Sequence, residues 1–166
     1  MSDIVETHST GGVNETKLLE AYIQKPEKMS YYQRGLEKMQ QAGIFGFRWH
    51  WSWWAFFFGW AFLLYRKAYI PALVAFIVTM FLNFIPFGFL VAMIGLGGVS
   101  SYFVLKRFND LKNSVKGTED EQVKAMYSFG GYHTWVIWVI AILYSLALLG
   151  MFMFAGIMIG SEMHSY

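Results

Sequence analysis

The chain carries four histidines, His8, His50, His133 and His164. A helical metal site needs two ligands one turn apart on one face. No two histidines stand four residues apart, and the long apolar stretches hold no Asp or Glu. No metal centre is expected. His50 and His133 flank apolar segments, where a polar interfacial residue is ordinary, and neither lies deep enough to ligate a haem. There is no cysteine, which excludes thiolate catalysis, disulfides and Cys-based metal sites. Ser52, Ser100, Ser101 and Ser145 have no histidine–acid pair to activate them. They read as small residues that let helices approach closely. Gly95, Gly97 and Gly98 have no phosphate-loop lysine after them and read as close packing or local flexibility. Ion-coupled transport usually shows charge inside a span, whereas Thr79 and Asn83 are the most polar points here. No enzymatic activity, catalytic residue or cofactor is expected.

The cations carry more information. Arg66-Lys67 and Lys106-Arg107 bracket residues 68–105, thirty-eight residues without one charge. Such pairs can bind anionic headgroups, at about 1 kcal/mol per basic residue near the surface. They can also simply fix the depth of a neighbouring segment. Trp49, Trp51, Trp53 and Trp54 suit the headgroup level, where an indole is buried and its N–H stays wet. These eight residues form the expected lipid-interface set.

The elements that would position them follow from composition. Of 166 residues, 56% are hydrophobic and 14% charged. A soluble domain is roughly 25% charged, so this chain reads as an integral membrane protein. Its net charge of +2 is too small to suggest nucleic acid. Residues 1–13 read as a disordered tail with no cleavable signal peptide. Ser2 is not a myristoylation glycine, and the C-terminus has no cysteine to prenylate.

Residues 14–48 read as amphipathic helices lying on the membrane or on the rest of the protein. Asn14 caps the first, with Leu18, Leu19, Tyr22 and Ile23 at helical spacing. Pro26 ends that helix or opens the next. Ser30 begins the second, with Tyr31, Leu36 and Met39 as its apolar points, and Gly43 and Gly46 mark its end.

Segment 49–65, WHWSWWAFFFGWAFLLY, is about 25 Å long as a helix and barely reaches across a ~30 Å hydrocarbon layer. In 68–105, Asn83, Pro86 and Gly88 break the run into a hairpin of two short spans, about 69–84 and 87–105. Residues 106–134 read as a polar loop. Within it, Thr118 caps a short helix over 119–128 and Glu121 reaches back in a capping box. The run 135–160 is the clearest transmembrane helix, and 161–166 is a polar tail.

The positive-inside rule selects a topology. All thirteen Lys and Arg lie within 17–48, 66–67 and 106–124. If 49–65 crossed, Arg66-Lys67 and the 106–124 loop would lie outside. If 49–67 is re-entrant or interfacial, every basic residue is cytoplasmic. The expected architecture is therefore all-α, with about three transmembrane helices, one aromatic re-entrant or interfacial helix and N-terminal cytoplasmic helices. Four spans is the alternative.

Residues 52–69, SWWAFFFGWAFLLYRKAY, resemble the signature NWxAFFFGPxWLLYRKMY of a bacterial inner-membrane family described only as a domain of unknown function. Trp53, Ala55, Phe56, Phe57, Phe58, Gly59, Leu63, Leu64, Tyr65, Arg66, Lys67 and Tyr69 match it. Tyr31-Tyr32 resembles the family's YY upstream. Ser52, Trp60, Phe62 and Ala68 replace its Asn, Pro, Trp and Met. The resemblance implies a bacterial inner-membrane location and no activity.

Abundant anchoring without visible chemistry leads to three functional expectations. The first is an adaptor or accessory subunit, meeting a protein partner through 14–42 and 106–134. The second is a protein that binds anionic lipid or shapes the membrane. The third is a transporter component. Homo-oligomerisation is compatible with each.

Overall fold

The structure is a computed structural model that describes residues 14–41 and 43–163, with side chains to 157. The expected disordered tail at 1–13, His8 and His164 lie outside the described residues. Among the described residues every regular element is helical. The chain divides into two compact units, at 132/133.

The first unit begins with α1, Glu15–Ile23, where the Asn14 side chain accepts from the Thr16 N–H as expected. Gln24 closes the helix in the left-handed region. Pro26 opens a short 3-10 turn, and α2 follows over Met29–Gln40. Tyr32 rather than Tyr31 is the fully buried tyrosine of α2, packed with Leu36 and Met39. The amphipathic pair therefore lies on the rest of the protein. Leu18, Leu19, Tyr22 and Ile23 share one core with Val104, Leu105 and Phe108.

Residues 49–65 do not form one helix. Residues 45–52 have no regular secondary structure, with Ser52 extended, and then come α3, Trp53–Phe58, and α4, Trp60–Tyr65. Gly59 separates them at φ 54°, ψ −128°. That is the first central position of a type II′ turn, a conformation that suits glycine. The bend is thus built without the proline of the resembling signature. Six residues make about 9 Å of helix, so neither piece could cross a bilayer.

The hairpin forms α5, Tyr69–Leu82, and α6, Gly88–Ser114. Asn83, Pro86 and Gly88 fall in the break as expected. The Asn83 side chain is exposed, and the turn is closed by backbone hydrogen bonds instead. Phe87 stands there at φ 62°. A Cβ on Gly88 would sit 1.8 Å from the Leu82 carbonyl oxygen, so only glycine fits.

The expected loop starting at 106 is corrected. The helix continues nine residues further, to Ser114, because Leu105, Phe108 and Leu111 keep an apolar face on the core. Then α7, Glu119–Phe129, starts on the Thr118–Glu121 capping box. Helices α1, α2, α7 and the last turns of α6 make a polar cap.

The second unit is α8, Thr134–Met163. It contains the expected 135–160 helix and extends through Met163 into the expected tail. Helices α6 and α8 are long and apolar enough to cross a membrane, and the α8 stretch is only 6% buried.

Candidate functional site

The path of residues 45–67 can be followed along α6. Phe45 stacks on Tyr102 at 5.8 Å. Further along, His50 N–H donates to the Gly98 carbonyl and Ser52 N–H to the Gly97 carbonyl, at 3.2 and 2.7 Å. The Trp49 indole lies on Gly98, where a Cβ would collide, and the Trp51 indole on Gly97, where a Cβ would be a tight fit. Gly59 sits by the Leu96 side chain, and Trp60 meets Phe76 of α5 at 5.0 Å. The chain then returns, and the Lys67 carbonyl accepts from Arg107. It therefore runs down α6 from Tyr102 to Leu96 and comes back to Arg107, leaving at the end where it began.

The small residues of α6 thus seat tryptophans and the backbone of residues 50–52, and Gly97 and Ser101 also meet Phe56 of α3 and Tyr31 of α2. Trp51 joins Trp49, Trp53 and Phe56 in a continuous aromatic cluster. Trp53, Trp54 and Phe57 remain exposed. Exposed apolar side chains continue along α5 and the lower part of α6, including Ile70, Leu73, Phe81 and Leu90. A run of neighbouring exposed apolar side chains of this kind marks a surface that meets a membrane or a partner.

His50 departs from expectation. It is buried at 8% exposure, with its ring 4.4 Å from that of Tyr31 and its Nε2 without a hydrogen-bond partner. Burial holds its pKa below the ordinary value, helped by the charges of Lys38 and Arg34, so the neutral imidazole serves as a packing group. Tyr31 instead carries a polar link. Its hydroxyl donates to the Trp51 carbonyl at 2.9 Å and is hydrogen-bonded with Ser101 Oγ at 2.5 Å. This joins α2 to the backbone of residues 50–52 and to α6.

The four expected cations separate into two kinds. Arg66 is turned inward, at 5% exposure. Its Nη1 donates to the Ile23 carbonyl at 3.1 Å, and its guanidinium lies 4.9 Å from the Tyr32 ring and 5.7 Å from the Tyr65 ring. It caps the C-terminus of α1, where a cation complements the helix dipole. A side chain so covered does not reach a headgroup layer, so Arg66 leaves the lipid-facing set. Burial pushes the Tyr22 and Tyr32 hydroxyls up to about 12, against the pull of the nearby guanidiniums. Neither phenol supplies Arg66 with a counter-charge.

Arg107 is joined to the backbone of Lys67, and Lys106 precedes Arg107 on α6. Lys67 sits at φ 58° in a Schellman cap of α4, with Lys67 N–H on the Leu64 carbonyl and Ala68 N–H on the Leu63 carbonyl. Arg107 binds the Lys67 carbonyl with Nη1 and the Phe129 carbonyl with Nη2, the latter at 3.2 Å. One guanidinium thereby fastens the ends of α4 and α7. Two of its five N–H donors are used in this way. Lys106 beside it is exposed. Lys25 lies 4.5 Å from the Tyr132 ring.

This cationic collar stands where the apolar hairpin leaves the polar cap. The ion pairs among the described residues lie elsewhere, at Lys17–Glu119 and Lys112–Glu15. Sequence reasoning missed the roles of Tyr31, Tyr32 and Ser101. It singled out Arg66, Lys67, Lys106 and Arg107 but gave no sign of which would face inward, and it passed over Lys25.

Fold and collar together define an all-helical protein with two helices able to cross a membrane. Comparison with protein-family models, curated proteins and solved structures finds no match for this chain. Among the described residues no cluster of His, Cys, Asp or Glu could hold a metal ion.

Proposed function

We propose that this chain is a protein of a bacterial inner membrane that binds anionic lipid and inserts an aromatic wedge into the bilayer. Residues 49–67 are its re-entrant element, the polar cap and N-terminus face the cytoplasm, and α8 crosses. The reading rests on one observation: at the rim of the exposed apolar hairpin Arg107 binds the Lys67 carbonyl, Lys106 stands exposed next to Arg107 in sequence, and among the described residues none of the three is in an ion pair. A headgroup phosphate would supply the missing anion while its acyl chains covered α5. The resemblance of residues 52–69 to the inner-membrane signature supports the same location.

Native mass spectra of the full-length chain with phosphatidylglycerol test this. Lys67→Gln with Lys106→Gln is expected to weaken retention about 30-fold, from about 1 kcal/mol per basic residue. Lys17→Gln with Lys116→Gln removes the same charge at the far end of the cap and leaves retention unchanged. Equal effects of the two pairs, or none from the first, contradict the reading.

A second reading, the accessory subunit, draws on Tyr127 of α7 and Ile44, large side chains that stand exposed on the polar cap. A second protein at fixed stoichiometry in the same spectra supports it, and bare chain with lipid alone counts against it.

A further inference from the structure

The depth of the hairpin can be measured from two levels. From Tyr69, beside the collar, α5 runs fourteen residues to Leu82. That is about 21 Å, and the turn adds about 5 Å more. From Gly98, where the Trp49 indole lies, ten residues of α6 lead back to Gly88, about 15 Å. The hydrocarbon layer is about 30 Å thick. Whether the headgroups lie at the collar or at the tryptophans, the turn stops short of the far side.

The turn is also the wrong chemistry for an exit. Segments that emerge are marked by charge, Trp or Tyr at the interface. Residues 84–89 read Phe-Ile-Pro-Phe-Gly-Phe. Phe84 is 86% exposed and Phe87 78%, with Ile85 and Phe89 exposed beside them. Asn83 is the one polar side chain against these four apolar ones.

Part of the turn's backbone is paired internally, although no acceptor meets the Phe87 N–H and α6 starts without a side-chain cap. A turn in hydrocarbon must satisfy its own polar groups. Phe84 N–H donates to the Phe81 carbonyl, Ile85 to Leu82 and Gly88 to Ile85, at 3.2, 3.0 and 2.9 Å. Pro86 has no N–H to satisfy. The Thr79 hydroxyl is folded back onto the Ala75 carbonyl at 2.7 Å.

From length, composition and internal hydrogen bonding together, we infer that the 69–105 hairpin ends inside the bilayer, its turn resting among acyl chains. Residues 49–105 then enter and leave from one side, and neither arm of the hairpin is a span. The two hairpin spans expected from the sequence are replaced by a one-sided wedge, leaving α8 as the crossing helix. A wedge of this kind adds volume unequally to the two leaflets, which favours curvature. The inference rests on the membrane placement proposed above.

The chain has no native cysteine, so single cysteines report one position each. Full-length Phe84→Cys, and separately Ile85→Cys, is labelled with bimane and reconstituted in liposomes. Bromines near the ends of the acyl chains are expected to quench most. Iodide on either side is expected to quench at least about tenfold less than at Lys67→Cys, since ions are excluded from hydrocarbon. Iodide quenching from the side opposite Lys67 shows a crossing hairpin and overturns the wedge. Quenching from the Lys67 side shows an uninserted tip and overturns it too. Flotation of the wild-type chain separates the two levels: failure to float refutes membrane insertion itself, whereas a floating chain with an iodide-accessible tip refutes only the wedge.

Discussion

Replacing Gly88 with alanine is expected to prevent the α5–α6 hairpin from closing. The new Cβ would lie 1.8 Å from the Leu82 carbonyl oxygen and 2.6 Å from its carbon. The obstacle is backbone, so no rotamer change relieves it. That same Leu82 carbonyl accepts the Ile85 N–H, so pushing it aside also breaks the turn's internal bonding. The loss is expected to be at least about 3 kcal/mol, in the range of severe backbone and overpacking effects. It is read as the denaturant midpoint of the full chain in detergent. At the preceding residue the opposite holds. Phe87 adopts φ 62°, which costs an L-residue roughly 1–2 kcal/mol, so Phe87→Gly is expected to be neutral or stabilising. A tolerated Gly88→Ala would show that the turn is not formed as described.

Arg66→Ala is the second large effect. The guanidinium makes one charge-assisted hydrogen bond to the Ile23 carbonyl and faces two tyrosine rings. A hydrogen bond to a charged group contributes roughly 1.5–3 kcal/mol, and a desolvated cation–π contact about 2. Non-additivity trims the sum, so a loss of about 3–4 kcal/mol is expected. Arg66→Lys is expected to recover little, because a point charge cannot meet the carbonyl and both rings as a planar guanidinium does. The account further requires that Arg66→Ala, measured below its unfolding temperature, retain phosphatidylglycerol as the wild type does. Lost lipid with unchanged stability would return Arg66 to the headgroup layer.

These two residues show what the sequence made legible. Gly88 could be placed in the break, because Pro86 interrupts an uncharged run too long for one span. Local signals were read well in general. Asn14 caps α1, Thr118 and Glu121 form the capping box, and α8 covers its apolar run. Each of these depends on residues a few positions apart.

Pairings across long separations were not legible. Arg66 finds the Ile23 carbonyl 43 residues away, and nothing in the run Tyr65-Arg66-Lys67 says which cation turns inward. The Schellman cap decides it, by sending the chain through the left-handed region at Lys67. The tryptophans and the Gly97-Gly98 pair were both conspicuous, yet their fit to each other was not. The charged stretch 106–114 looked like loop because Leu105, Phe108 and Leu111 show their purpose only against α1. The bend at Gly59 was masked by the apolar continuity of the segment around it.

The account depends most on residues 49–67 entering and leaving the membrane on one side. Single cysteines at Arg48 and Lys67 test this directly in sealed, oriented vesicles. Both are expected to react with a membrane-impermeant maleimide from the same side, the one that carries the polar cap, with Lys116→Cys as the marker of that side. Labelling of Arg48→Cys and Lys67→Cys from opposite sides would mean that the aromatic segment crosses, and would contradict the account.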